Sequence, residues 1–474
     1  MLKKIPSSII FIFIAFFLSL TLSVIYIYIY DSYHLNGYSH IMLKEETFAH
    51  WYKGAKILQQ IENGSNIFEA GEEMFTKPLP QRIVAIYSYL LNFEIIENWE
   101  TLKITLGNKL PFLFLQSTLY YFSVYIFYLQ ISKIFEKKTT LIIIIFLCIE
   151  PTIFQYHSSF WTESFYFSLQ LLLFSFMLEI NKNKKHFLLL GLLLALLFMQ
   201  RSAGIFYVVV VVLYYFFNLK EDKYKKISLL LLSYMTICLI LGFHNYKRAG
   251  IFYIMPLEGK YGMYKYFAKD ILVTSKNETM DQINASEVKK AVKWIKNELP
   301  ELDYKKYQNF GSPFEIGFSI QNEKYKTIFY GYLNKRSYEI LLNNPIITFK
   351  KIIKGFIHFS VLNPFFVFYD YEYYKEFSSS EIGDFTFSET HSKLIPTRII
   401  YSLLIILFSL IGFSICLKKY PKIFFLILMS IVYYYLILGW YGKTRLFVPN
   451  LIYVSIFFSL GLKYSLKKIN LIKE

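Results

Sequence analysis

Lys44-Glu45-Glu46-Thr47-Phe48-Ala49-His50-Trp51-Tyr52 sets two adjacent carboxylates beside a hydroxyl, an imidazole and three aromatic rings, shortly after a long apolar run that ends at Asp31. A carboxylate beside an apolar surface is costly unless it is paired or put to use. Its chemistry there is that of a general base, or of a partner for a cation. The same residues also read as the solvated acidic turn of an amphipathic helix. Polar residues further along weigh against that plainer reading. Glu150, His157 and Glu163 bracket the third and fourth apolar runs, and Arg201 stands between Gln200 and Ser202 at the end of the fifth. His244, Asn245, Tyr246 and Arg248 follow the seventh, and Lys443 and Arg445 precede the last. Each could simply end a helix. As a set they would supply what a phosphate-leaving reaction needs: a base for the incoming nucleophile and guanidiniums to hold the departing anion, with Lys77 as a further point charge.

The elements that must carry these residues are helices in a membrane. Of 474 residues, 55% are hydrophobic and 20% aromatic, in runs long enough to cross a hydrocarbon core. The expected spans are about 8–30, 111–135, 139–156, 160–180, 186–200, 203–219, 227–243, 397–417, 422–439 and 446–463. Lys3-Lys4 before the first run resembles a secretory leader, but the run is long and no small-residue cleavage site follows, so it reads as a retained helix.

The net charge of +17 is not the mark of a nucleic-acid partner. Lys137-Lys138, Lys184-Lys185, Lys225-Lys226, Lys418-Lys419 and the Lys467-Lys468 tail fall in alternate connections, as the positive-inside rule requires when both termini are cytoplasmic. The polar residues named above then share the extracytoplasmic face of a plasma-membrane protein. Cys148, Cys238 and Cys416 lie in separate apolar runs and read as small buried hydrophobes. Gly191 and Gly204 read as helix-packing positions.

The fold class expected is therefore all-α and polytopic, in three parts. Residues 1–243 form an N-terminal membrane module whose external loop, 31–110, carries the acidic motif on a helix from Glu45 to Ile61, with a second helix from Pro80 to Leu91. Residues 244–396 form a small, mainly helical extracytoplasmic subdomain, with helices at Ser286–Leu299 and Lys324–Leu342. Within it, 346–369 is apolar but interrupted by Lys350, Lys351, Lys354 and His358, which favours an interfacial or re-entrant helix over a span. Residues 397–474 supply the last spans.

Nucleotide-binding glycine loops, zinc-protease helices and nucleophile elbows are all missing from the sequence. Glu45-Glu46-Thr47-Phe48 is similar to the acidic first-loop motif of the integral-membrane GT-C glycosyltransferases, which include protein O-mannosyltransferases and aminoarabinose transferases, with Glu in place of the first Asp. Thr76-Lys77-Pro78-Leu79 resembles the element that closes that loop in the aminoarabinose branch. Trp161-Thr162-Glu163-Ser164, Met199-Gln200-Arg201-Ser202, His244-Asn245-Tyr246 and Lys443-Thr444-Arg445-Leu446 to Pro449 resemble later motifs in the same order.

The resemblance implies a GT-C-like helix arrangement and transfer of a sugar from a polyprenyl-phosphate donor to an acceptor lipid, glycan or protein. It implies a first-loop carboxylate as base: Glu46 first, then Glu45, with Asp31 a third candidate. Arg201, Lys77 and Arg445 would hold the donor phosphate, and Glu163, His157, Asn245 and Tyr246 would contact substrate. No cofactor or metal is expected. The competing readings are a flippase or carrier for a lipid-linked sugar, and a polymerase or ligase of the O-antigen type. A carrier would place its charges near the bilayer midplane, commonly within inverted repeats. Here they gather at one face.

Overall fold

In lipid no water is present to satisfy backbone amides, so apolar runs of this length have the helix as their solution. The computed structural model describes residues 6–33, 45–65, 78–90, 106–157, 162–179, 183–255, 257–361, 389–441 and 447–469, and among them every regular element is helical.

The first three helices are α1 (Ser7–Tyr33), α2 (Glu45–Glu62) and α3 (Pro78–Leu90). Then follow α4 (Leu106–Ile131), α5 (Lys137–Ile149), α6 (Pro151–His157), α7 (Thr162–Met177), α8 (Lys184–Gln200), α9 (Tyr207–Asn218) and α10 (Lys223–Ala249). A compact group continues with α11 (Leu257–Met263), α12 (Lys269–Lys276), α13 (Met280–Glu298), α14 (Pro313–Ser319), α15 (Glu323–Asn343) and α16 (Pro345–Ser360). The last three are α17 (Glu389–Lys419), α18 (Pro421–Leu438) and α19 (Val448–Lys468).

Among the described residues five helices are long and apolar enough to cross a membrane: Ser7–Val24, Pro111–Ile131, Lys223–Ala249, Pro396–Lys419 and Pro421–Leu438. The protein is a helical membrane protein. The other expected spans correspond to shorter helices (α5 with α6, α7, α8 and α9) and to α19, which is long but carries Asn450, Lys463 and three serines within its apolar stretch.

The run expected as one span over 139–156 is two helices. Proline disfavours helical dihedrals at the residue before it, and Glu150, ahead of Pro151, is extended at φ −58° and ψ 120°. Its carboxylate then accepts from the Ile153 amide at 2.7 Å and from the Tyr401 hydroxyl, capping α6. The apolar segment expected at 346–369 is helical as α16, and 362–369 lie outside the described residues.

Helices α7 and α19 form the centre. Tyr166, Leu171, Leu173 and Phe174 on α7, and Leu451, Tyr453 and Ile456 on α19, are wholly buried. Helix α4 packs on α7, α7 on α8 and α8 on α10; α1 lies against α4 and α5, and α18 against α9, α17 and α19. Two glycines let α17 and α19 meet backbone to backbone. A Cβ on Gly412 would fall on the Phe457 carbonyl, and one on Gly461 on the Phe408 carbonyl. Gly191 serves α8 and α10 likewise, against the Leu230 carbonyl.

A chain of hydroxyls crosses this core. Tyr166 and Tyr434 share a hydrogen bond at 2.6 Å. Tyr207 bonds Ser430 at 2.7 Å and Tyr453 at 2.5 Å, so α7, α9, α18 and α19 are joined by polar contacts inside an apolar bundle.

The group from α11 to α16 follows ordinary rules for soluble helices. Thr279 and Gln282 form a reciprocal capping box at the start of α13. Glu287, buried in α13, accepts two bonds from Arg336 at 2.9 Å each and one from Lys290 at 2.6 Å. Burial opposes ionisation of Glu287, but the Arg336 fork and Lys290 outweigh it and hold the carboxyl below its usual range.

Candidate functional site at one end of the bundle

Helix α8 ends where it does because Arg201 turns extended, at φ −149° and ψ 134°. A short 3-10 turn, Ser202–Gly204, follows before α9 begins. Such a break frees carbonyls, and tyrosines collect them. Tyr433 donates to the Ala203 carbonyl, and Tyr234 to that of Ile205 at 2.7 Å. The break turns the Arg201 side chain onto α7, where Nη1 donates to Glu163 Oε1 at 3.1 Å. Glu163 is fully buried and Arg201 nearly so, with its guanidinium carbon 5.7 Å from the centre of the Tyr166 ring. Two residues expected in separate roles, one for substrate and one for the donor phosphate, are thus an ion pair with each other.

The helices of the first loop lie at this same end. Helix α2 packs on α3 and α3 on α8. Tyr87 of α3 meets Phe112 at the start of α4, with ring centres 5.1 Å apart, and Phe112 meets Phe165, two residues beyond Glu163, at 5.7 Å. The acidic motif opens α2, so Glu45 and Glu46 are its first two residues, where the helix dipole favours negative charge.

Two guanidiniums that carried no role in the sequence reading join the picture. Arg82 on α3 donates to the Pro78 carbonyl at 3.0 Å and has no carboxylate partner among the described residues. Burial, and then repulsion from Arg248, lower its affinity for a proton, which places the two guanidiniums within electrostatic reach of each other. Arg248, in the last turn of α10, spends Nη2 on Glu323 at 2.7 Å, while its Nη1 is buried with no hydrogen-bond partner among the described residues. With Glu323 on Arg248 and no carboxylate on Arg82 among the described residues, the two half-buried guanidiniums leave a net positive charge suited to an anion. Arg248 was visible in the sequence as a basic residue closing a span. Arg82 was not, because an arginine on an amphipathic helix has no distinguishing pattern.

Asn245 is buried and its amide donates to the Tyr253 carbonyl at 2.5 Å, holding a chain reversal that Gly250 makes possible at φ 66°. Tyr246 is exposed. His157 is the last residue of α6, and Asp31 lies in the last turn of α1. The side chains of Asp31, Glu45, Glu46 and His157, and the whole of Lys77 and Arg445, lie outside the described residues. Among the described residues no three His, Cys, Asp or Glu side chains gather as a metal site.

No family model matches the chain, and no curated protein sequence matches it. Among solved structures, it is similar to the apo oligosaccharyltransferase of Archaeoglobus fulgidus, with 11% identity and a TM-score of 0.47, over 97% of this chain and 51% of that one. It is also similar to oligosaccharyltransferase AglB of that organism in complex with an inhibitory peptide and a dolichol-phosphate, with 13% identity and a TM-score of 0.44, over 89% and 47% of the two chains. This chain thus spans about half the length of the solved structures it matches. In its chain path it is similar to part of an oligosaccharyltransferase.

Proposed function

We propose that the chain is a glycosyltransferase that moves a sugar from a polyprenyl-phosphate donor to a lipid, surface-glycan or protein acceptor at the extracytoplasmic membrane face. The observation that carries this reading is the gathering, at one end of the bundle, of the first-loop helices α2 and α3 with Arg82, Arg248 and the Glu163–Arg201 pair. A carboxylate motif and a surplus of guanidiniums at a membrane boundary suit a reaction in which a phosphate is the leaving group.

In this reading the acceptor oxygen attacks the anomeric carbon. Its proton passes to Glu46, with Glu45 and Asp31 as the alternative bases. The bond between the anomeric carbon and the phosphate oxygen breaks, and the lipid phosphate leaves with the electron pair. Its charge is met by Lys77 and Arg445 from the sequence reading, with Arg248 and Arg82 added by their geometry. Arg201, tied to Glu163, fixes the end of α8 beside the site. His157, Asn245 and Tyr246 contact substrate. The lysine-rich connections and both termini are cytoplasmic, by the positive-inside rule.

The test is transfer of label from radiolabelled undecaprenyl-phosphate sugars in membranes holding the wild type, Glu46→Gln or Arg248→Gln. The expected result is transfer by the wild type, donor binding without turnover in Glu46→Gln, and weakened donor binding in Arg248→Gln. Unchanged turnover in Glu46→Gln moves the base to Glu45 or Asp31. Absence of transfer with any donor, together with movement of labelled lipid across vesicles, overturns the enzyme reading in favour of a carrier.

A further inference from the structure

Helix α16 has two unlike faces. On one, Gly355 lies so close to the Trp440 carbonyl that an added Cβ would sit 2.6 Å from it. Phe359 is wholly buried against Tyr435 and Phe447, with ring centres 5.1 and 5.3 Å away, and the Ser360 hydroxyl bonds that of Tyr435 at 2.5 Å. These contacts fix α16 to the Gly439 end of α18, opposite the end that bears Lys422 and follows Lys418 and Lys419 of α17. On the other face Ile346, Phe349, Ile353 and Ile357 are between 43% and 70% exposed, and Leu342 at the end of α15 is 78% exposed. At 100° per residue those four fall within about 80° of arc, opposite Gly355 and Phe359. Lys350 and Lys354 follow on one flank, both exposed, while Lys351 on the next row is paired with Asp270 of α12.

We infer that α16 lies in the plane of the membrane at its head-group boundary, with Ile346, Phe349, Ile353 and Ile357 in the acyl region and Lys350 and Lys354 on lipid phosphates. Three observations select lipid as the occupant. Helix α16 packs through Phe356 and Phe359 on Tyr435 of α18, a helix apolar enough to cross the bilayer, whose own Val432 and Leu436 are exposed. The flanking lysines complement anionic head groups. A helix of 16 residues rises about 24 Å, short of the roughly 30 Å hydrocarbon core, so it does not span. Through the Lys351–Asp270 pair and the Gly355–Trp440 contact, the lipid surface is then tied both to the α11–α15 group and to the connection that leads to Arg445. The inference does not depend on the glycosyl-transfer reading.

Nitroxide labels at single cysteines replacing Ile346, Phe349, Ile353, Ile357 and, separately, Lys354 test it in nanodiscs of phosphatidylcholine and phosphatidylglycerol. The three native cysteines are buried. Oxygen is expected to collide with the four stripe labels more often than a water-soluble nickel chelate, with the order reversed at 354. Chelate dominating on the stripe overturns the inference in favour of a hydrated face, and exclusion of both reagents overturns it in favour of a protein partner or a second copy. A preference for spin-labelled phosphatidylglycerol over phosphatidylcholine is expected, falling by up to about fivefold for each of Lys350→Gln and Lys354→Gln. A preference unchanged in both variants overturns the head-group contact.

Discussion

Arg201→Gln separates the two things an arginine can do at this position. Its guanidinium and the Glu163 carboxylate are 3.1 Å apart, both out of solvent. At an effective dielectric of about 20 their attraction is about 5 kcal/mol. Removing one member of such a pair costs about 3–5 kcal/mol, because the other charge stays buried without it. Loss of the contact with the Tyr166 ring adds about 0.5–2 kcal/mol. The expected loss for Arg201→Gln is therefore about 3.5–7 kcal/mol, and that for Glu163→Gln, which leaves the ring contact in place, about 3–5 kcal/mol. The double variant should lose less than the sum by about 3 kcal/mol or more, since it removes both charges together. Unfolding in mixed micelles with rising SDS reads these differences. Transfer activity then decides the role. If Arg201 touches the donor phosphate, the double variant is stable and inactive; if it only fixes the end of α8, activity returns with stability. Strict additivity of the two single losses would refute the coupling.

Two further perturbations have signs set by the structure. Alanine at Gly412 or Gly461 must push α17 and α19 apart, at a cost of about 1–3 kcal/mol read as a lowered melting temperature in detergent. Gly331→Ala, in α15 with open space around its Cβ, should instead gain up to about 1 kcal/mol. Glu287, with its carboxyl held below the usual range, contributes stability that is present above about pH 4.3 and is lost as pH falls through the lowered value. Hydrogen exchange in α13 and α15 should rise at acid pH in the wild type and change little with pH in Glu287→Gln; equal acid sensitivity in both would remove Glu287 as the cause.

Local pattern was legible and partnership was not. The helix expected from Glu45 to Ile61 runs Glu45–Glu62, and those expected at Ser286–Leu299 and Lys324–Leu342 lie within or within a residue of α13 and α15. Amphipathic spacing and capping residues are read over a few turns, so a sequence carries them openly. Pro151 gave its signal too, but hydropathy averaged across it hid the break at Glu150. Arg201 and Glu163 were both legible as polar residues at span ends. Their pairing was not, because it rests on the packing of α7 against α8 and on the tyrosines that hold the turn after Arg201. Tyr207 and Tyr453 are 246 positions apart, and no local window contains both.

Around the buried α19 stand helices of very unequal length. With 13, 16, 17 and 12 residues, α5, α7, α8 and α9 rise about 20, 24, 26 and 18 Å, less than the roughly 30 Å of a hydrocarbon core. With 27 and 31 residues, α10 and α17 rise about 40 and 46 Å and expose much of their apolar surface. A helix longer than the hydrocarbon core fits it by tilting, and one shorter than it by local thinning of the bilayer. Beside such neighbours in a bilayer, the ends of the short helices, Arg201 and Glu163 among them, would lie below the level of the surrounding head groups. For the lipid-borne donor of the proposed reaction this would make a lowered sill at the side of the bundle, and the thickness of the host membrane would then tune access to its charged end.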